Sequence, residues 1–206
     1  MSQESKIGKV YVASMIMRGK RAVLPPHLED ALKVNVTSAQ RTESPYRIDF
    51  SPMTQVKGGY KGYYCFENYW QSGKVYEDED REKQLSWWKA QYKGKRRYPG
   101  SKGKKVLHAI FNGIEYDYVN SRKFVYIPEY YELIKSTQSL KSLVEYRNSG
   151  KDIVVFDFDG PRNENGENTF REVTNEMLME EVHSTKYPFG HGYVVAAAIC
   201  GIKMEF

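Results

Sequence analysis

Cysteine is scarce in this 206-residue chain, with Cys65 and Cys200 the only two. Two thiols cannot build a disulfide framework, and no Cys/His spacing matches a zinc site, so no metal is expected. Long apolar runs are missing as well. The longest, Tyr193–Ile202, covers ten residues, whereas a membrane-spanning helix needs roughly 20. No membrane partner is therefore expected. The N-terminal stretch carries Lys and Arg but no apolar segment ahead of a small-residue cleavage site. No signal peptide is expected, and a cytoplasmic location is. Neither G-x-x-x-x-G-K-[ST] nor G-x-G-x-x-G occurs, which removes the phosphate-loop and dinucleotide fingerprints. No Ser, Cys or Thr stands in an elbow or triad pattern, and no cofactor is implied.

Acidic residues are absent from Ala90 to Ile114, while Lys93, Lys95, Arg96, Arg97, Lys102, Lys104 and Lys105 all fall there. The formal charge of +5 thus comes from one segment, and without those seven cations the remainder would be net acidic. Gly, Ser, Pro and Tyr interrupt the cations in KGKRRYPGSKGKK. Such a loop suits a polyanion, whether nucleic acid or the phosphates of a nucleotide, and serves equally as a solvated surface. No recognition helix accompanies it, so sequence-specific DNA reading is not expected. Tyrosine, by contrast, is abundant: 17 against 9 Phe and 3 Trp. Its flat face and polar tip fit a sugar or base, or a wet core.

The pattern along the chain predicts an α+β fold, a single compact domain over residues 1–206 with mixed helices and short strands. Lys9–Met17 reads as a strand followed by a turn at Arg18-Gly19-Lys20, and Val34–Thr37 as a second strand. A short helical turn is expected over His27–Leu32. Arg41–Pro52 is polar, contains two prolines and reads as loop. Phe66, Tyr69, Trp70 and Gly73 recur at helical spacing, which would place Glu67 and Lys74 two turns apart on one helix. Asp78–Ala90 follows as another helix with acids at its start, where the dipole favours them. Val106–Phe111 is short and apolar, and Ser121–Ile127 is β-rich. Helices are expected over Glu129–Lys135, Leu140–Asn148 and Thr174–Val182, the last capped by Thr174. Ile153–Phe158 is the clearest buried strand, and Tyr193–Ile202 reads as helix or strand. No internal repeat occurs.

Three constellations could carry chemistry. Asp157 and Asp159 end the strand in IVVFDFDG, which resembles the nucleophile motif of haloacid-dehalogenase phosphatases. Pro161 stands where that family has a hydroxyl-bearing residue, and no acidic pair follows in a suitable context. The two carboxylates can instead line a site or simply close a turn. In Phe189-Gly190-His191-Gly192 the glycines let the backbone approach a ligand closely, making His191 a candidate substrate-binding residue. The richest segment is FSPMTQVKGGYKGYYCFENYWQSGK, Phe50–Lys74. A Phe-Ser-Pro loop and a Gly-rich turn lead to Glu67, flanked by Tyr63, Tyr64, Phe66, Tyr69 and Trp70. Aromatic company strips water from a carboxylate and disfavours its charged form. That suits a residue that activates water or steadies a sugar cation, although a helix-start Glu is also favoured by the dipole alone.

This segment resembles the signature of the NADAR (NAD- and ADP-ribose-associated) superfamily. There a Ser/Pro-containing loop leads to a Glu-aromatic helix of the form E-x6-K, here Glu67 to Lys74, with Gln71 also at a position usual for the family. The likeness is good over Phe50–Lys74 and fainter through the basic stretch and Lys123–Val144. The late Trp/Asp signature of the family is not recognisable. The resemblance implies a metal-independent N-glycosidase hydrolysing a base–ribose or ADP-ribosyl bond, with Glu67 as the catalytic carboxylate. Around it, Lys74, Arg96 and Arg97 are expected to hold phosphate, Tyr64 and Trp70 to stack the base, and Asp157 or Asp159 to serve as a second acid/base. The substrate would be nucleotide-like or ADP-ribosylated. The alternative is a non-enzymatic nucleic-acid-binding protein that uses the basic 93–105 loop.

Overall fold

The structure, a computed structural model, describes residues 6–18 and 24–206. In chain order the strands are β1 (Val10–Ser14), β2 (Leu32–Asn35), β3 (Lys74–Tyr76), β4 (Val106–Phe111), β5 (Ile114–Tyr116), β6 (Ile153–Asp157) and β7 (Phe170–Glu172). The helices are α1 (Pro45–Phe50), α2 (Phe66–Ser72), α3 (Arg81–Lys89), α4 (Tyr118–Ser121), α5 (Ile127–Ile134), α6 (Gln138–Asn148), α7 (Asn175–His183) and α8 (His191–Cys200). Helices and strands coexist with two small sheets, an α+β arrangement. The chain falls into two compact units, Met1–Ser51 with Glu129–Phe206, and Pro52–Pro128.

The first unit is organised by a four-stranded sheet in the order β2-β6-β1-β7. β1 and β2 both run parallel to β6, and β7 is antiparallel to β1. All five residues of β1 and all five of β6 are buried, as central parallel strands covered on both faces require. Strand alternation sets Tyr11 and Ala13 with Val154 and Phe156, and these pack with Leu28 and Ala31 into one core cluster. Asp157 falls on the other face with Ile153 and Val155. Helix α8, whose residues are nearly all buried, packs against β1, β6 and α6. Tyr130, 1% exposed, donates its hydroxyl to the Phe50 carbonyl and ties α5 to α1.

The second unit holds the antiparallel sheet β3-β4-β5. Asn112 and Gly113 both take positive φ, 51° and 78°, the geometry that closes a two-residue hairpin between β4 and β5. Here the tyrosine excess finds its structural use. Tyr60, Phe66 and Tyr69 meet one another, Phe66 meets Tyr126, and Tyr69 meets Phe111, at centroid distances of 5.3–6.3 Å.

Several elements differ from the sequence reading. The strand at Lys9–Met17 ends at Ser14, and Met15–Arg18 coils into a 3-10 turn; Gly19 and Lys20 of the expected turn lie outside the described residues. Within the expected loop Arg41–Pro52, Pro45 starts α1, and Tyr46 stacks on Phe50 one turn later at 6.1 Å. The β-rich Ser121–Ile127 is helical: α4 passes through a π-turn, Arg122–Tyr126, into α5. Asp117 caps this run by accepting from the Asn120 amide at 2.7 Å. Pro128 lacks the N–H that an ordinary helical turn would use there. Tyr193–Ile202 resolves to helix over most of its length, within α8.

Candidate functional site

Helix α2 carries the strongest sequence candidate. It begins after Cys65, whose backbone is extended, and the Glu67 amide donates to the Pro52 carbonyl at 2.9 Å. That bond ties Pro52 to the first turn. Glu67 is half-buried, and its Oε1 accepts from Gln71 Nε2 at 2.7 Å one turn along. The carboxylate is thereby oriented from the protein side. Cys65, fully buried just before it, has its thiol pushed up to about 11 by burial, so it stays protonated and inert at neutral pH.

The adjacent residue supplies a connection that no spacing rule predicts. Asn68 is 0% exposed. Its Nδ2 donates to the Lys93 carbonyl at 3.0 Å, and its Oδ1 accepts from the Lys95 amide at 2.7 Å. One buried amide thus fixes the backbone at the start of the basic segment against α2. Gly94 lies between these two bonds, and a Cβ there would meet the Met53 carbonyl at 2.8 Å, so only glycine fits without a shift. Arg96 and Arg97 follow directly and are exposed. Of the seven cations, Lys104 is ion-paired, its Nζ 2.7 Å from Glu79 Oε1.

Lys74 and Trp70 take a different direction. Helix α2 ends at Ser72, and Lys74 opens β3 opposite Ala109 of β4. Glu67 and Lys74 are therefore not two turns apart on one helix. Trp70 and Lys74 line a cavity of about 400 Å³ in the second unit, and Glu67 is not among its lining residues. Tyr64 is partly exposed on the approach to α2, and its carbonyl accepts from the Val56 amide at 3.3 Å.

Asp157, Asp159 and His191 belong to the first unit. Asp157 is 2% exposed, with Oδ2 accepting from the Gly192 amide at 2.7 Å and facing His191 Nδ1 at 3.2 Å. His191 Nε2 reaches the Val36 carbonyl at 2.9 Å; a carbonyl only accepts, so this nitrogen carries hydrogen. Both sides of the imidazole are occupied, and Tyr130 packs edge-on at 5.8 Å. The FGHG glycines admit this carboxylate: a Cβ on Gly190 would stand 2.4 Å from Asp157 Oδ2. The result is a carboxyl group seated against the first-turn amides of α8. Asp159, two residues on, is exposed.

Glu67, Tyr64, Trp70, Lys74, Arg96 and Arg97 thus share the second unit with Gln71, and Asn68, Tyr118 and Ala109 join them there without having stood out by residue type. Among the described residues, no helix is long and apolar enough to cross a membrane. No protein-family model, curated protein or solved structure matches this chain.

Proposed function

We propose that this chain is an N-glycosidase that hydrolyses a base–ribose or ADP-ribosyl N-glycosidic bond, with Glu67 as its key carboxylate. One arrangement supports the reading. Glu67 is oriented by Gln71, while the neighbouring Asn68 holds the backbone from which Arg96 and Arg97 emerge. A half-buried carboxylate and a pair of cations on one tethered framework match a sugar phosphate, the carboxylate serving the sugar and the cations the phosphate. In the reaction, the C1–N bond breaks with its electron pair leaving on the base. Water bonds to C1 and gives its proton to Glu67, and the base departs protonated by a general acid.

The test is base release from ribosyl phosphates and from ADP-ribosylated DNA, comparing wild type with Glu67→Gln. The variant keeps an acceptor for Gln71 but removes the basic oxygen. Equal turnover by both proteins refutes the assignment. The exposed Arg96 and Arg97 favour one further reading, a nucleic-acid-binding protein without catalysis. Salt-dependent binding that survives Glu67→Ala and collapses when both arginines are neutralised, with no base release, selects that reading.

A further inference from the structure

Trp70 and Lys74, which the glycosidase resemblance would give to the base and phosphate of a substrate, line a cavity that Glu67 does not line. Its volume of about 400 Å³ lies within the range of roughly 300–1,000 Å³ usual for small-molecule sites. Two aromatic residues on its wall are braced from behind. Trp70 stacks on Phe111 with centroids 5.5 Å apart and planes 6° from parallel, and Tyr126 meets it edge-on at 4.8 Å. Tyr118 lies beneath the Arg122 guanidinium, 4.0 Å from the ring centroid, and Arg122 is 1% exposed. Rings fixed in this way need little further ordering when a flat ligand arrives.

The polar groups favour an anion. Lys74 brings a cation, and His108 adds an imidazole whose Nε2 lies 3.6 Å from Glu115 Oε2. The Glu115 side chain is 67% exposed and is not part of the lining. Ala109, opposite Lys74 in the sheet, contributes only a methyl group, and that small side chain leaves the volume open. Leu107 lines the cavity too while remaining 53% exposed, apolar surface that a bound ligand would cover.

From these features we infer that the cavity binds a planar heteroaromatic ring carrying an anionic group, a ligand of mononucleotide size. It does so at a place that Glu67 does not line. Braced aromatics recognise the ring, Lys74 the anion, and Ala109 sets the depth. The inference stands apart from the role given to Glu67, and the two fail separately.

The probes are AMP, adenosine and inorganic phosphate, read by quenching of tryptophan emission and by thermal shift. All are measured in the Glu67→Gln background as well as in wild type, so that hydrolysis cannot consume the ligand. AMP is expected to quench emission and raise Tm in both proteins with affinities equal within about threefold. Adenosine is expected to bind about tenfold more weakly and phosphate alone to give no response. Ala109→Leu fills the cavity and should weaken AMP at least about tenfold. Because a buried substitution can impair folding, Leu107→Glu at the exposed rim serves as the second variant, with AMP weakened about three- to tenfold and Tm unchanged without ligand. No AMP response in either background overturns the inference. So does undiminished affinity in both cavity variants, or loss of AMP binding on Glu67→Gln alone.

Discussion

Asp157 and Glu67 are both carboxylates next to the first turn of a helix, and they end in opposite conditions. Asp157 lies 2% exposed with Oδ2 committed to the Gly192 amide and the His191 ring. Glu67 is half-buried, with Oε1 oriented by the Gln71 amide. The difference arises from the neighbours. Gly190 and Gly192 let the backbone of α8 close on Asp157, since a Cβ at either would strike its carboxylate. Phe66 and Trp70 beside Glu67 pack into the aromatic wall of their unit instead. A carboxylate enclosed by helix backbone holds structure together. One that keeps part of its surface open to solvent can meet a substrate.

That contrast can be broken by experiment. The largest expected effect is on turnover: Glu67→Gln should lower base release by about 10²- to 10⁴-fold while leaving the denaturation midpoint unchanged. Asp157→Ala should do the reverse, costing about 3–5 kcal/mol in urea unfolding because His191 and the α8 amide lose their partner. If Asp157→Ala stays stable yet inactive, the contrast between the two carboxylates fails. Asn68→Ala strands a carbonyl and an amide of the basic segment and should cost about 1–3 kcal/mol. A loss of affinity for phosphorylated substrate should accompany it, read as a rise in KM.

The smallest effect is in alkali. Burial raises Cys65 from 9.0 to about 11 and the Tyr130 hydroxyl well above its ordinary value. Between pH 9 and 11 the unfolded chain therefore holds fewer protons than the folded one. Stability should fall as pH rises through that window, and a Cys65→Ser variant should show a shallower decline in urea midpoint.

How much of this is legible in the sequence depends on how local the cause is. β6 announces itself as IVVFD, and Thr174 as the cap of α7, where it accepts from the Met177 amide at 3.1 Å. The hairpin at Asn112-Gly113 carries a strong local signal, a residue pair suited to positive φ at both positions, which the apolar character of Val106–Phe111 overshadows. Ser121–Ile127 misleads because Phe124, Val125, Tyr126 and Ile127 have strand propensity, while the Asp117 cap and burial of Val125, Tyr126 and Ile127 on a helical run prevail. Glu67 is visible through its aromatic company. Asn68 is not, because its partners at Lys93 and Lys95 lie 25 and 27 residues away. The Ala109 cavity is hidden for a similar reason: space shows only once strands are paired.

The pairing of β1 with β6 also bears on how the chain is made. Val10 finds Ile153, and the Lys9 amide finds Asp152 Oδ1 across 143 residues. At synthesis rates of about 5–20 residues per second, β1 waits roughly 7–30 s on the ribosome for its partner. Pro52–Pro128, one continuous stretch, emerges in full during that wait. An apolar strand left unpaired for so long is a natural client for a chaperone, and slow translation between residues 52 and 128 would lengthen its exposure.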